Sequence, residues 1–161
     1  MTVEDYNKAV DQYADNLYRF ILKNVGNDAL ANDVVQESFA KLWVKLDSVD
    51  GRKVKSYLFT TGYHTMLDML KKENRHIEFD AAEDKTHQHS EQYTDINEIL
   101  EDALKRLPDI QRSVILLRDY EGYSYEEIGA VTGLSESQVK VYIYRGRLSL
   151  KNYLVKMENI I

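Results

Sequence analysis

The sequence predicts an all-α protein built as two small helical domains, and three observations carry that expectation. One proline and seven glycines in 161 residues leave little turn chemistry. Apolar residues recur at spacings of three and four along most of the chain, as amphipathic helices require. Between Ser124 and Arg147, two short helices each open on their own capping box, Ser124-Tyr125-Glu126-Glu127 and Ser135-Glu136-Ser137-Gln138. In each box the serine can accept from the orphan amide three residues on, while the Glu or Gln reaches back. Gly133 stands just past the first of these helices, where a left-handed C-cap is expected. A short helix, a turn holding Gly133 and Leu134, and a longer helix with Lys140, Arg145 and Arg147 spell a helix-turn-helix, a motif that reads DNA.

The remaining elements follow in order. Val3, Tyr6, Val10, Tyr13, Leu17, Phe20 and Ile21 form the apolar stripe of a first helix that Gly26 ends. Asn27 or Asp28 can cap a second helix, whose apolar side is Leu30, Val34, Phe39, Leu42, Trp43 and Leu46. Asp47 to Lys53 reads as a polar loop, and a third helix carries Val54, Leu58, Thr61, Thr65 and Met69 along one face. From His76 to about Tyr93 the periodicity stops in an acidic stretch, which is expected to be a flexible linker. Helical spacing resumes with Ile96, Ile99, Leu100, Ala103, Leu104 and Leu107, and Pro108 stops it. Asp109 can cap a further helix containing Ile110, Val114 and Leu117, closed by Gly122.

A net charge of -6 is the wrong sign for a chain that binds DNA with its whole surface. The charge is unevenly spread. Residues 51–75 hold six basic and two acidic groups (+4), 134–161 hold five and two (+3), and 76–104 hold one and nine (-8). Two basic islands around an acidic segment suit two separate DNA contacts, each weak alone, because the local field sets phosphate attraction within a Debye length. The absence of Cys excludes disulfides and thiolate metal sites and suits a reducing cytoplasm. No signal-peptide core or membrane-spanning stretch is present in the sequence.

The second half resembles region 4 of bacterial RNA polymerase sigma factors through Leu107-Pro108-x-x-Gln111-Arg112-x-Val114, Glu121-Gly122-x-Ser124-Tyr125-x-Glu127-Ile128, Gly133-x-Ser135, Val139-Lys140 and Arg145. In the first half, Ala31-x-Asp33-x-Val35-Gln36-Glu37-x-Phe39-x-x-x-Trp43 is similar to sigma region 2.2. Tyr57-Leu58-Phe59 with Asp68 and Lys71-Lys72 is similar to regions 2.3 and 2.4. Both halves in order, without a region 3, resemble the extracytoplasmic-function (group IV) sigma factors. The resemblance implies a region 2-like three-helix domain over 1–75 that binds core polymerase and the -10 element. It implies an acidic linker over 76–95 and a region 4-like helix-turn-helix domain over 96–161 that reads the -35 element. It further implies a cytoplasmic, non-enzymatic protein without cofactor that directs core polymerase to promoters and initiates transcription. The implied partners are core RNA polymerase (beta-prime clamp and beta flap), promoter DNA and an anti-sigma factor that can be membrane-bound, with no membrane insertion of the chain itself. Polymerase docking falls on Asp33, Gln36 and Glu37, next to Phe39 and Trp43, which are expected to pack.

The chain departs from the family pattern at several positions. Thr61-Gly62-Tyr63-His64 replaces a stretch closer to Ile-Ala-Arg-Asn, Tyr142 stands where Arg is frequent, and Gly146 where Ala is. A glycine inside a helix costs about 1 kcal/mol relative to Ala unless close packing needs the missing methyl.

Helical geometry turns Val139, Ile143, Gly146 and Leu150 of the last helix toward a core. The candidate -35 contacts are Ser137, Lys140, Val141, Tyr144, Arg145 and Arg147, since basic groups can grip guanine edges or phosphates and an aromatic can pack on a thymine methyl. Around the third helix, Arg52, Lys53, Lys71 and Lys72 can hold the phosphates of a melted strand. Tyr57, Tyr63 and His64 can stack on bases, although Tyr57 suits core packing equally well. His87 and His89 lack a third ligand nearby, so no metal site is expected, and no catalytic set is recognisable. A self-sufficient helix-turn-helix regulator that binds an operator as a dimer, and a helical adaptor that binds only protein, are the alternatives.

Overall fold

A computed structural model describes residues 1–79 and 96–160 of the chain. Three helices form the first unit: α1 (Val3–Val25), α2 (Asp28–Val44) and α3 (Val54–Phe79). Four more form the second: α4 (Ile96–Arg106), α5 (Asp109–Ile115), α6 (Tyr125–Thr132) and α7 (Glu136–Ile160). Among the described residues every regular element is helical, as the scarcity of turn residues predicts. The helix α3 runs to Phe79, past the expected end near residue 75. Residues 80–95, which hold most of the expected linker together with His87 and His89, lie outside the described residues.

Local sequence accounts for the helix ends. Gly26 terminates α1 in the left-handed conformation (φ 66°), and the Asn27 side chain accepts from the Leu30 amide to open α2. Thr2 and Asp5 form a capping box on α1 that the sequence pattern missed, because Asp takes the place usually held by Glu or Gln. The expected loop over 47–53 is wound into two 3-10 turns, Leu46–Ser48 and Gly51–Lys53. One expectation is corrected: Asp109 does not cap α5. The extended backbone of Pro108 takes the cap position, and Asp109 instead receives a 2.6 Å bond from Arg112. Arg112 is buried and donates to the carbonyls of Lys105 and Leu107, satisfying the C-terminal end of α4.

The first unit packs Leu17, Phe20, Ile21, Val34, Leu42, Leu58 and Phe59, all fully or almost fully buried. The second packs Leu104, Val114 to Leu117, Ile128, Val131, Val139 and Ile143. The two units touch. Phe59 of α3 lies between Phe20 (ring centroids 5.6 Å apart) and Tyr123 of the second unit (5.3 Å, edge-on). Lys55 lies over the other unit's Tyr123 ring, and Lys23 over Tyr120. Arg19 of α1 grips Glu121 through two N–H groups at 2.9 and 3.2 Å, and the Glu121 side chain is only 3% exposed. The Ser113 hydroxyl donates to Asn24 across the same seam. The helix α3 therefore buries two faces rather than the single stripe expected, one on α1 and α2 and one on α6.

Candidate nucleic-acid and polymerase interfaces

Both predicted capping boxes form. Ser124 accepts from the Glu127 amide at 3.1 Å while Glu127 accepts from the Ser124 amide at 3.0 Å. Ser135 and Gln138 repeat the pair at 3.1 and 3.0 Å. Gly133 between them is left-handed (φ 81°) and its N–H reaches back to Gly129. These local bonds fix the ends of α6 and α7 as a helix-turn-helix. Hydrogen bonds to the Ser124 amide, then to its hydroxyl, hold the Glu127 carboxyl below the usual range.

On α7, Val139, Ile143 and Gly146 are buried while Ser137, Lys140, Val141, Tyr144, Arg145 and Arg147 are exposed. The six candidate -35 residues therefore share the solvent side. Their states differ. Lys140 pairs loosely with Glu136 and lies over the Tyr125 ring. Among the described residues Arg145 is held by no hydrogen bond or ion pair, and its side chain is exposed. Arg147 is fastened to Asp119 by bonds of 2.5 and 3.2 Å, which keeps it cationic and tethers α7 to the Leu116–Tyr120 turn. Sequence reasoning did not single out Tyr125, whose ring carries Arg118 at 4.6 Å as well as Lys140 at 5.6 Å.

Around α3, Arg52, Lys53, His64, Lys71 and Lys72 are exposed, and Tyr57 is half-buried. Tyr63 is buried, and burial first, then the Asp109 charge, raises the pKa of its hydroxyl. It does not stand open to a base in this arrangement of the two units.

On α2, Asp33, Gln36 and Glu37 are exposed on the side away from Ala31, Val34 and Leu42. Phe39 is buried as expected, but Trp43 is corrected: it is half exposed, in a T-shaped contact with the Tyr6 ring. The helical turn explains this, since Leu42 fills the inward position and Trp43 must then point about 100° away. Val44 beside it is 83% exposed. The polar face therefore ends in an apolar pair, which the sequence signalled by placing two large apolar residues after Leu42.

Comparison with known proteins agrees with this geometry. The Sigma-70 region 2 family model matches residues 9–76 and the Sigma-70, region 4 model matches residues 97–150. The chain is 31% identical over 160 residues to ECF RNA polymerase sigma factor SigE of Mycolicibacterium smegmatis, across 94% of this chain and 62% of that protein. It is 26% identical over 161 residues to ECF RNA polymerase sigma factor SigM of Bacillus subtilis, across 94% of both. The sigma factor RpoE from Bartonella quintana, solved in complex with the anti-sigma factor NepR, superposes with a TM-score of 0.80 at 26% identity, over 94% of this chain and 97% of that one. A helical region 2 unit joined to a helix-turn-helix region 4 unit defines an RNA polymerase sigma factor. The chain belongs to the extracytoplasmic-function sigma factor family.

Proposed function

We propose that this chain directs core RNA polymerase to promoters and initiates transcription, with its tasks divided by domain. Residues 1–75 carry the polymerase and -10 contacts, 76–95 connect, and 96–161 carry the -35 contacts. The observation that supports this most is the pairing of two exposed faces in one chain. The α7 face of Lys140, Val141, Tyr144 and Arg145 is set by two capping boxes, and the α2 face is Asp33, Gln36 and Glu37. Its working partners are core polymerase and promoter DNA. An anti-sigma factor is the third, on the likeness to RpoE. It works as a binding factor, without chemistry of its own.

Arg145 reads bases, because it is exposed beside Tyr144 and holds no carboxylate. Arg147 contributes phosphate attraction from its remaining N–H groups while tied to Asp119. The test is run-off transcription with stoichiometric core polymerase on random-promoter templates, followed by a promoter-mutant panel. Initiation that depends on the chain is expected. Arg145→Ala relaxes preference at particular -35 bases, each lost contact costing about 1–3 kcal/mol. Arg147→Ala weakens all sequences about equally. Nanomolar duplex binding by the free chain without polymerase-dependent initiation would support an operator-binding regulator instead.

A further inference from the structure

One short segment of the second unit touches both the seam with the first unit and the helix α7. The Leu116–Tyr120 turn is wound wider than an α-helix, with the Glu121 N–H donating at 3.1 Å to the Leu116 carbonyl, five residues back. Such π turns are rare and recur at functional sites. The side chains of this one divide between two destinations. Tyr120 lies under Lys23 of α1 at 5.0 Å, and Glu121, which closes the turn, accepts from Arg19 of α1 at 2.9 and 3.2 Å. Asp119 points instead to α7, where it holds the Arg147 guanidinium. Arg118 donates to the Tyr123 carbonyl at 2.9 Å and so ties the turn to the residue that meets Phe59 of α3.

The two ends of this chain of contacts are unequal. The Glu121 carboxylate is almost fully buried against the first unit, whereas Asp119 and Arg147 keep 37% and 48% of their side chains in solvent. An exposed pair of that kind is weak enough to be exchanged for another anion. A phosphate is such an anion, and it competes with Asp119 for the same planar fork of N–H donors.

We infer that Asp119 is a positioning residue for the -35 contact, and that the first unit sets its hold on Arg147 through the Leu116–Tyr120 turn. While α1 grips Tyr120 and Glu121, the turn stays wide and Asp119 neutralises Arg147, which withholds that charge from a phosphate backbone. When the seam parts, Glu121 returns to water, the turn closes into the α register and Asp119 swings off the guanidinium. The second unit then offers DNA one more free cation. Separation of the units and -35 binding are thereby coupled, and the coupling is reciprocal, so that DNA on α7 favours separation. The DNA half of this inference rests on the reading of α7 as the -35 helix, whereas the hold of the first unit on Arg147 does not.

The experiment first follows the Arg147 Nε–H resonance of the full chain by heteronuclear NMR without DNA. Asp119→Asn marks the released position. Arg19→Gln leaves the Glu121 carboxylate buried without its cation and so parts the seam. It is expected to move the Arg147 resonance most of the way to the released position, and Lys23→Gln, which frees Tyr120, in the same direction. A resonance unmoved by both overturns the proposal. Anisotropy of a labelled duplex from the transcription selection then reads the consequence. Arg19→Gln removes a cation, so charge alone predicts weaker binding. Binding about threefold tighter is expected instead, with a salt slope steeper by about one. Asp119→Asn gives a similar gain, and the double variant gains no more than Asp119→Asn alone. In an Arg147→Ala background neither substitution changes the affinity. Gains that add in the double variant, or that survive Arg147→Ala, overturn the relay. A resonance that moves with Arg19→Gln while no substitution at Asp119 or Arg147 alters duplex binding upholds the hold of the first unit on Arg147 and overturns the -35 reading of that residue.

Discussion

Single residues decide how closely the second unit can pack, and Gly146 shows how. In the sequence it looks like a defect, a helix-interior glycine that costs about 1 kcal/mol against Ala. In the structure a Cβ there would lie 2.3 Å from Ile115 Cδ1 and 3.3 Å from its Cγ1, and Ile115 is 1% exposed. Overpacking of about 1–3 kcal/mol then outweighs the gain in helix propensity. Gly146→Ala is expected to lower stability by about 1 kcal/mol, read from the urea midpoint. Ile115→Val removes the offending methyl, so the double variant should recover part of that loss. A Gly146→Ala variant more stable than the parent would mean that Ile115 moves aside freely. The glycine was legible as a position, but its reason was not, because Ile115 reaches it from another helix.

At the scale of elements, what the sequence showed best was whatever depends on neighbours in the chain. Both capping boxes, the Gly26 and Gly133 caps and the core stripe of α7 follow from spacing alone. Asp109, Trp43 and the second buried face of α3 did not: Asp109 is taken up by Arg112 while Pro108 holds the cap, Trp43 is turned outward once Leu42 faces in, and the α3 face depends on α6, far along the chain. The two boxes also differ in a testable way: Glu127 titrates and Gln138 does not. The folded-state pKa of Glu127 lies below its ordinary value of 4.5, so its contribution is present above that value and is lost as pH falls through the depressed one. Ser135→Ala should cost about 1 kcal/mol at both neutral and acid pH, whereas the cost of Ser124→Ala shrinks in acid. Glu127→Gln, which can still close the box, should remove that pH dependence in urea unfolding; an unchanged dependence would place its origin elsewhere. On α2, Asp33 and Glu37 are exposed and away from the core, so reversing both charges should leave the melting temperature within a few degrees of the parent. If their face docks on polymerase, the same double variant loses core-dependent transcription. Full core affinity in that variant would remove Asp33 and Glu37 from the docking surface.

The whole molecule presents a problem of reach. The -10 and -35 elements are centred about 25 base pairs apart, or about 85 Å along B-DNA at 3.4 Å a step. A compact chain of 161 residues has a radius of gyration of about 15 Å and spans about 40 Å. If the first unit takes the -10 element and the second the -35 element, as proposed, the two units cannot remain packed as they are and occupy both at once, and the seam is expected to open on promoter and polymerase. Sequence reading expected two units joined by a flexible linker; the seam between them was illegible because Phe59 and Tyr123 are 64 positions apart and each looks like ordinary core. The seam is built to part at modest cost. Its ion pair, Arg19–Glu121, holds an almost fully buried carboxylate that regains its hydration on opening, which offsets the lost Coulomb attraction. Tyr123 carries a buried hydroxyl with no hydrogen-bond partner among the described residues, which costs about 1–3 kcal/mol in the closed state. Two substitutions should therefore shift the balance in opposite directions. Glu121→Lys places a cation against Arg19 and should favour separation, while Tyr123→Phe keeps both ring contacts, removes the orphaned hydroxyl and should favour closure. The chain has no Cys, so cysteines introduced at exposed Lys8 and Ser149 can carry a donor and an acceptor dye. Energy transfer should fall with Glu121→Lys, rise or hold with Tyr123→Phe, and drop for the parent when core polymerase and promoter are added. Transfer that is identical in all three chains, free and bound, would show that the Phe59–Tyr123 seam does not govern the separation of the two units.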